Sequence, residues 1–320
     1  MNNKADNENK LPENILFSVL IANYNNGRYI VEAIESVYKQ TYKHWEIVIV
    51  DDASTDNSLD IISRFLSDPR IKLIINEHNN GCGFTKKKCI DNAVGQICGY
   101  LDPDDALSAD ALEVMVKEFI RYPDSGIINS KNYYCDHNLK PTDINPYSKE
   151  VPNNGPYIYY NDGSITHFAV FRRDFYLQTE GLNPYYTKAV DQDLYLLLDQ
   201  TGPIRFIDKI LYYYRIHTGG ISTFNNVIPA AYQHFKILKH ASFKLLKKSQ
   251  EKGHRKKLSM IYHRCNFHLA MLEKKRIKSI YFLGKFALNG GMIEIKGMFG
   301  RLITHPARVI NTISKIYTIK

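Results

Sequence analysis

The chain has 320 residues, of which 44% are hydrophobic and 23% are charged, a composition typical of folded proteins. No run of eighteen apolar residues occurs and residues 1–14 are polar, so we expect neither a transmembrane helix nor a secretory signal. The five cysteines include no Cys-x-x-Cys pair, which argues against a disulfide framework or a zinc site. They favour reduced thiols in a cytoplasmic protein.

The net charge of +9 conceals an uneven distribution along the chain. Residues 225–320 contain 20 Lys and Arg against 3 Asp and Glu, whereas residues 1–224 contain 22 against 30. We therefore expect an acidic domain followed by a basic helical region. Such a region predicts an anionic partner, for example a membrane surface, a phosphorylated lipid or a nucleic acid.

Apolar runs of strand length alternate with amphipathic, helix-length patterns over the first 121 residues. Strands are predicted at 17–21, 46–50, 71–75 and 97–101, and helices at 30–37, 58–66, 84–94 and 109–121. This alternation predicts an α/β fold, with a mainly parallel, doubly wound sheet and helices on both faces. Ligands bind beyond the carboxyl ends of such strands, and polar loops follow Ile21, Val50 and Leu101 here. We expect those three loops to form one site.

The periodicity is weaker in the middle of the chain. Residues 130–166 are rich in tyrosine, and we predict an irregular segment whose tyrosines pack against the sheet or stack on a sugar ring. Further strands are predicted at 168–171, 204–207 and 211–215, and a helix at the segment Asp191-Gln192-Asp193. Helical patterns with basic clusters dominate from about Pro229 onward.

Three carboxylates, Asp102, Asp104 and Asp105, follow directly after the fourth predicted strand. Carboxylates packed at the end of a strand suit a hard divalent cation, which takes oxygen ligands and often phosphate oxygens with them. A polar turn that caps the next helix is the alternative, because Asp and Pro are ordinary turn residues. Motifs elsewhere in the chain decide between the two.

Six segments of the chain, residues 18–25, 34–41, 50–56, 101–105, 181–194 and 214–222, follow one another in a recognisable order. Together they resemble the inverting family-2 glycosyltransferases of GT-A fold. Residues 101–105 match that family's Asp-x-Asp motif, and residues 50–56 are similar to its nucleotide-binding turn, with Ala53 where glycine is usual. Lys86 stands where the family usually has arginine, and Val190 replaces a usual glutamate beside Asp191.

The resemblance covers residues 15–225 and implies a domain organisation. Residues 15–225 would form a GT-A catalytic domain and residues 226–320 a basic helical C-terminal region, after a leader at 1–14 that we expect to be disordered. The implied reaction moves a sugar, with inversion, from a nucleotide-diphosphate sugar to a hydroxyl of a glycan or lipid-linked acceptor. A UDP-sugar is the expected donor, and surface polysaccharide synthesis is the expected process.

The resemblance also implies a metal site on the donor diphosphate. A divalent cation, Mn²⁺ or Mg²⁺, would stabilise the charge of the departing diphosphate as a Lewis acid. Asp104 is the expected direct ligand, and Asp105 and His217 are expected further ligands. Without the other motifs, His217 would instead be interpreted as a loop residue satisfied by the backbone.

Further residues of the matching segments would contact the donor. Asp102 would meet the ribose. Lys86 and Arg215 would neutralise phosphate oxygens, unless they are solvated surface cations. Ser222 belongs to the same segment as Arg215 and is assigned to the donor side with it.

The nucleobase and the acceptor complete the expected site. Asp51 would accept hydrogen bonds from the base. Ala22 and Tyr24 would line the base pocket and stack against the base. Asp191 is the expected general base, which an inverting displacement needs near the acceptor hydroxyl. Asp193 is better explained as a helix cap, and capping is the alternative for Asp191 too.

Two other functions compete with the transferase. A nucleotidyltransferase would also use carboxylates and a metal, but it would want a glycine-rich basic loop after the first strand, and residues 23–28 match that poorly. A basic membrane or nucleic-acid adaptor would leave the acidic motifs without a purpose. For the C-terminal region, peripheral attachment to the inner face of the plasma membrane competes with a solvated helical bundle or a homodimer. We expect no nucleic-acid partner.

Overall fold

A computed structural model describes residues 15–151, 155–160, 164–220, 226–286 and 288–289. The chain divides into two compact units, residues 1–220 and 221–320, so the division falls five residues before the predicted boundary. The predicted leader at 1–14 and the predicted donor residue Ser222 lie outside the described residues.

The first unit begins with alternating strands and helices, as predicted. The elements are β1 Phe17–Asn23, α1 Ile30–Tyr38, β2 Trp45–Asp51, α2 Ser58–Ser63, β3 Ile71–Ile75, α3 Cys82–Asn92 and β4 Ile97–Tyr100. The four strands pair in the parallel order β3-β2-β1-β4. β1 and β2 are buried along almost their whole length, which is the pattern of strands covered on both faces. α1 buries the apolar face predicted from its period, at Ile30, Ala33, Ile34 and Val37.

The second half of this unit extends the same sheet with mixed strand directions. Its elements are β5 Ala106–Leu107, α4 Ala111–Arg121, β6 Ile127–Cys135, β7 Pro141–Ile144, α5 Tyr157–Tyr160, β8 Ala169–Arg172, α6 Arg173–Leu177, α7 Val190–Leu198 and β9 Ile204–Arg215. The sheet continues in the order β4-β8-β6-β9-β5, with β8 antiparallel to both neighbours and β6 parallel to β9. The predicted α/β class with a largely parallel sheet is confirmed, and β5, β7 and β8 are the strands that run antiparallel to their partners.

Two sequence predictions were wrong in this half. The irregular segment predicted at 130–166 instead contains most of the nine-residue strand β6, together with β7 and α5. The Asn and Ser side chains of β6 are polar but buried, so this strand carries little apolar signal. The separate strands predicted at 204–207 and 211–215 are the single strand β9. The pairing with β6 shifts where Ser130 opposes Ile207 and Lys131 opposes Ile210, so the exposed residues 208 and 209 form a bulge.

The second unit is helical over the residues described. It contains α8 Val227–Lys248, α9 Lys252–Leu272 and α10 Arg276–Phe286, and α9 packs against both of the others. The buried side chains include Leu238 of α8 and Leu258, Ile261 and Leu269 of α9. Within the described part of the chain, no helix is long and apolar enough to cross a membrane.

Gly83 in the first turn of α3 sets how closely the segment before α7 approaches. Its N–H donates to the carbonyl oxygen of Tyr186 at 2.9 Å. A Cβ atom at this position would lie 2.4 Å from that oxygen and 2.8 Å from the carbonyl oxygen of Asn183. These neighbours are backbone atoms, so they cannot rotate out of the way.

We expect Gly83→Ala to destabilise the first unit by about 1–3 kcal/mol, the usual cost of forcing extra volume into a packed contact. Gly284→Ala is the matched control, because a Cβ there meets nothing within 4 Å inside helix α10. The control should stabilise its helix by about 0.5–1 kcal/mol. Urea unfolding followed by circular dichroism measures both, and equal effects of the two changes would contradict the close approach.

Candidate active site

The carboxyl ends of β1, β2 and β4 lie side by side at one edge of the sheet. Asn23 at the end of β1 pairs with Asp51 at the end of β2, and Leu20 pairs with Tyr100 at the end of β4. The three polar loops identified in the sequence therefore follow adjacent strands. Parallel sheets place their ligands at this edge.

Asp51 is fully buried and organises the turn that follows β2. Its carboxylate accepts hydrogen bonds from Asn23 Nδ2 at 2.7 Å, from the Ser54 N–H at 2.8 Å and from Ser54 Oγ at 2.7 Å. Ala53 has a φ of 59°, a left-handed conformation that favours glycine, which explains the usual glycine at this position of the motif. Nucleobase contact by Asp51, Ala22 and the exposed Tyr24 stays a prediction.

Asp52, the next residue, ties β2 to the start of α3. Its carboxylate accepts hydrogen bonds from Asn76 Nδ2 at 2.7 Å, the Asn80 N–H at 2.9 Å and the Gly81 N–H at 2.8 Å. Gly81 has a φ of 90°, which a side chain would strain. Asp52 therefore fixes the loop from which α3 begins, and α3 carries Lys86.

Lys86 forms an ion pair with Asp102, with Nζ 3.0 Å from Oδ1, in a largely buried position. Burial disfavours the ammonium, but the Asp102 carboxylate outweighs it, so the pKa of Lys86 lies above its ordinary value. Burial likewise opposes the charge on Asp102, yet Lys86 and His167 hold the pKa of that carboxyl below its ordinary value. The His167 Nε2 atom lies 3.7 Å from Asp102 Oδ2. The structure thus brings two predicted donor residues together and keeps both charged.

Asp104 and His217, predicted as metal ligands from segments over a hundred residues apart, meet directly. Asp104 Oδ2 lies 2.7 Å from His217 Nε2, while His217 Nδ1 accepts a hydrogen bond from the Gly219 N–H at 3.3 Å. Because Nδ1 accepts a hydrogen bond, Nε2 carries the ring proton and donates it to Asp104. A divalent cation held by this carboxylate oxygen and this imidazole nitrogen would take the place of that proton. No three His, Cys, Asp or Glu side chains of the described ranges form a metal-binding group by themselves.

Asp105 does not share the surroundings of Asp104. Its side chain points into the fold, where Tyr212 donates its hydroxyl to Oδ2 and Arg215 donates its backbone N–H to Oδ1, each at 2.7 Å. Burial, together with the charges of Asp104 and Asp102, raises the pKa of Asp105 well above its ordinary value. The geometry favours a positioning role for Asp105 over the predicted metal ligation.

Arg215 also differs from its predicted role as a phosphate contact. The guanidinium is buried and donates Nε to the carbonyl oxygen of Asp104 at 2.6 Å and Nη1 to that of His137 at 2.5 Å. Its Nη2 pairs with Glu32, and the group lies 4.4 Å from the centroid of the Tyr29 ring. Arg215 therefore holds the backbone of Asp104 from behind, which favours a structural role.

Asp191 lies in the first turn of α7, after Ala189 in a left-handed conformation with a φ of 53°. Gln192 Nε2 donates to Asp191 Oδ2 at 3.2 Å, and the buried Tyr157 donates its hydroxyl to Gln192 Oε1 at 2.8 Å. The charge of Asp191 also helps to raise the pKa of Lys86, which places the two in one electrostatic environment. Gln192 thus holds one oxygen of the Asp191 carboxylate, and Tyr157 in turn holds Gln192.

Asp193, on the same helix, has a structural role. Its Oδ2 accepts the N–H of Asn183 at 2.9 Å, so it anchors the loop that leads into α7. This agrees with the expectation that Asp193 is structural, although the contact is to a preceding loop and not to the helix end.

Several residues of the site were given no role by the sequence analysis. His167 stacks on Tyr212 and Tyr214, with ring centroids 5.0 and 5.8 Å apart, and Gln192 and Glu32 act through the contacts described above. Tyr212 and Tyr214 looked like ordinary strand aromatics, since tyrosine is common in strands. Only the pairing of β9 beside the 101–105 loop distinguishes them.

The sheet and the carboxylates at its strand ends define a protein of the GT-A class. Residues 18–179 match the glycosyl transferase family 2, and the chain belongs to this family. Among its relatives is the chondroitin synthase of Escherichia coli, 31% identical over 235 residues, or 72% of this chain and 33% of that protein. The chain spans a third or less of the length of the chondroitin and hyaluronan synthases that it matches.

Two solved structures share the fold. A crystal structure of S. aureus TarS 1–349 in complex with UDP-GlcNAc superposes with a TM-score of 0.68 at 20% identity, over 86% of this chain and 81% of that one. A mannosyltransferase from Pyrobaculum calidifontis in complex with GDP-Man and Mn²⁺ superposes with a TM-score of 0.56 at 14% identity, over 94% and 84%.

Asp199 follows the last residue of α7 and provides a pH-dependent test of the packing between α5 and α7. Its Oδ2 accepts the Tyr157 N–H at 2.7 Å, and burial raises the pKa of Asp199 to about 7. The folded protein holds the Asp199 proton more tightly than the unfolded chain does. The stabilisation of the fold by the protonated carboxyl is therefore complete below about pH 4. It is lost as the pH rises to about 7.

Asp199→Asn should therefore remove most of this pH dependence, worth up to about 4 kcal/mol for a shift of roughly three pH units. An asparagine oxygen can still accept the Tyr157 N–H, so the variant should be more stable than wild type at pH 8. Urea unfolding between pH 4 and pH 8 measures the effect, with the exposed Asp60→Asn as control. A variant whose stability follows the wild-type pH profile would contradict the assignment.

Proposed function

We propose that the chain transfers a sugar, with inversion, from a nucleotide-diphosphate sugar to a hydroxyl of a glycan or lipid-linked acceptor. The observation that carries this proposal is the convergence of Asp104 with His217 and of Lys86 with Asp102 at adjacent strand ends. The family and the polysaccharide synthases among its relatives support it. A UDP-sugar is the proposed donor, as in the TarS complex with UDP-GlcNAc, and surface polysaccharide synthesis is the proposed process.

The donor diphosphate would lie over Asp104 and His217. These two side chains would hold Mn²⁺ or Mg²⁺, and the imidazole nitrogen favours Mn²⁺ because Mg²⁺ prefers an all-oxygen shell. When bound, such an ion supplies Lewis-acid stabilisation of the leaving diphosphate. Lys86 adds a fixed positive charge nearby, and Asp102 keeps that charge in place. Asp105 and Arg215 position the loop and do not touch the donor.

Asp191 would take the proton of the acceptor hydroxyl as that oxygen attacks the anomeric carbon. The bond between the anomeric carbon and the diphosphate oxygen breaks as the new glycosidic bond forms. Gln192 donates to one carboxylate oxygen, and Tyr157 fixes the orientation of the Gln192 amide. General-base catalysis of this kind contributes about 10²- to 10⁴-fold.

A screen of UDP-, GDP- and dTDP-sugars with Mn²⁺, and with a chelator as control, tests the function. Metal-dependent release of the nucleoside diphosphate is the expected result. Release of pyrophosphate would indicate a nucleotidyltransferase, and release of neither would leave a binding protein. Both of these outcomes reject the proposal.

Asp191→Asn should lower transfer by about 10²-fold or more while donor binding stays within a few fold, because only the proton acceptor is lost. Asp193→Asn is the matched control two residues away, since its oxygen can still accept the Asn183 N–H. Calorimetric titration of nucleotide binding and initial rates of product formation measure the two quantities. If Asp193→Asn were inactive and Asp191→Asn active, the base would be misassigned.

Asp104→Asn should raise the Mn²⁺ concentration needed for half-maximal activity by more than about tenfold, because it removes one of two charged or basic ligands. Asp105→Asn should instead lower the unfolding temperature and leave the Mn²⁺ requirement near that of wild type, since both Asp105 oxygens bond to β9. Rates at graded Mn²⁺ and thermal unfolding separate the two effects. Equal Mn²⁺ requirements of the two variants would reject Asp104 as the ligand.

The place of action is also a proposal. A basic second unit suits attachment of the chain, as a peripheral protein, to the inner face of the plasma membrane, where a lipid-linked acceptor would be met. A homodimer through the C-terminal helices is the competing arrangement.

A further inference from the structure

We propose that the outward side of helix α10 binds the surface of a membrane rich in anionic phospholipid. This proposal rests on the peripheral attachment proposed above for the second unit and names the surface that makes it. It does not require that the first unit be a transferase.

Helix α10 has apolar side chains on two opposite sides. Ser279 and Phe286, two turns apart, are buried, so their side is the packed one. Ile277 and Tyr281, one turn apart on the opposite side, are 87% and 58% exposed. A helix at a protein surface normally turns polar residues outward, so this outward side is suited to a second apolar contact.

Lysines flank this outward apolar side. Lys274, Lys275 and Lys278 are exposed, and the Lys285 ammonium lies 5.7 Å from the centroid of the Tyr281 ring. A lysine stem can lie along buried apolar groups while its ammonium reaches water or a lipid phosphate. An aromatic and aliphatic side bordered by lysines is the pattern of a helix that lies in a membrane interface.

The same pattern occurs on α8. Phe243 is exposed at 44%, and the Lys247 ammonium, one turn later, lies 4.4 Å from the centroid of its ring. The described part of the chain holds no helix able to span a bilayer. The expected mode of contact is therefore helices lying on the surface.

The positive charge of the second unit distinguishes among the partners that could cover the outward side of α10. Residues 226–289 contain 15 Lys and Arg against 2 Glu, so a second copy of the chain would bring like charge to the contact. Residues 290–320 are basic too, with 5 Lys and Arg against 1 Glu. A nucleic-acid backbone would match the positive charge but would offer no apolar surface to the exposed Ile277. An anionic bilayer supplies both the negative charge and the apolar layer that this side of the helix needs.

Flotation of the full-length protein with lipid vesicles tests the proposal. Vesicles of phosphatidylcholine with 30% phosphatidylglycerol should bind it, and pure phosphatidylcholine vesicles should bind it weakly. Ile277→Glu should weaken binding by more than about tenfold. Lys278→Gln should weaken it about fivefold, as expected from about 1 kcal/mol per basic residue. Val94→Glu, at a valine of the first unit that is 68% exposed, is the matched control and should bind like wild type.

A fluorescent reporter gives an independent readout. Tyr281→Trp should show a blue-shifted emission with anionic vesicles, whereas wild type, whose single tryptophan Trp45 is buried, should show no shift. Equal binding of Ile277→Glu and wild type would overturn the proposal. If Ile277→Glu instead converted a dimer to a monomer in light scattering, the surface would be a contact between copies. If Ile277→Glu lowered the unfolding temperature and left vesicle binding unchanged, the proposal would also be rejected, and residues 290–320 would be the segment that covers the helix.

Discussion

The buried carboxylate of Asp105 joins the two halves of the sheet at the candidate site. Its oxygens receive the Tyr212 hydroxyl and the Arg215 N–H of β9, although Asp105 itself follows β4. An unpaired buried carboxyl is costly, so the fold is stable only when β9 lies against this loop. The Arg215 side chain then holds the Asp104 carbonyl oxygen, and the chain beyond β9 brings His217 to Asp104. The proposed metal site thus depends on the hydrogen bonds of Asp105, which is not itself proposed as a metal ligand.

Burial separates the carboxylates of the site into two groups. The buried ones, Asp51, Asp52 and Asp105, use their oxygens to hold loops against the strand ends. Asp102, Asp104 and Asp191 are partly exposed, and each lies beside a nitrogen of another side chain. The oxygens of this second group remain accessible to a ligand. The partly exposed group is therefore the one to which we assign the chemistry.

The fold could be predicted where local pattern and tertiary position agree. Apart from the two-residue strand β5, the strands and helices of residues 17–121 were predicted within a few residues of their bounds, because buried parallel strands and amphipathic helices have distinct periods. Strand β6 was missed because it buries polar residues such as Asn132, whose side-chain oxygen is satisfied by partners distant in the sequence. β9 was divided in two because a bulge places polar residues within a strand. In both cases the missing information lay in strand pairing.

The sequence by itself determined the α/β class, the order of the motifs and the residue types at the strand ends, including the stretch from Asp102 to Asp105. These follow from local periodicity and from which side chains can hold a cation or a phosphate. Only the tertiary structure decided that Asp104 meets His217, that Lys86 pairs with Asp102, and that Asp105 accepts the backbone N–H of Arg215 inside the fold. The physical reason is that burial and hydrogen-bond partners belong to neighbours in space, which spacing along a chain does not specify.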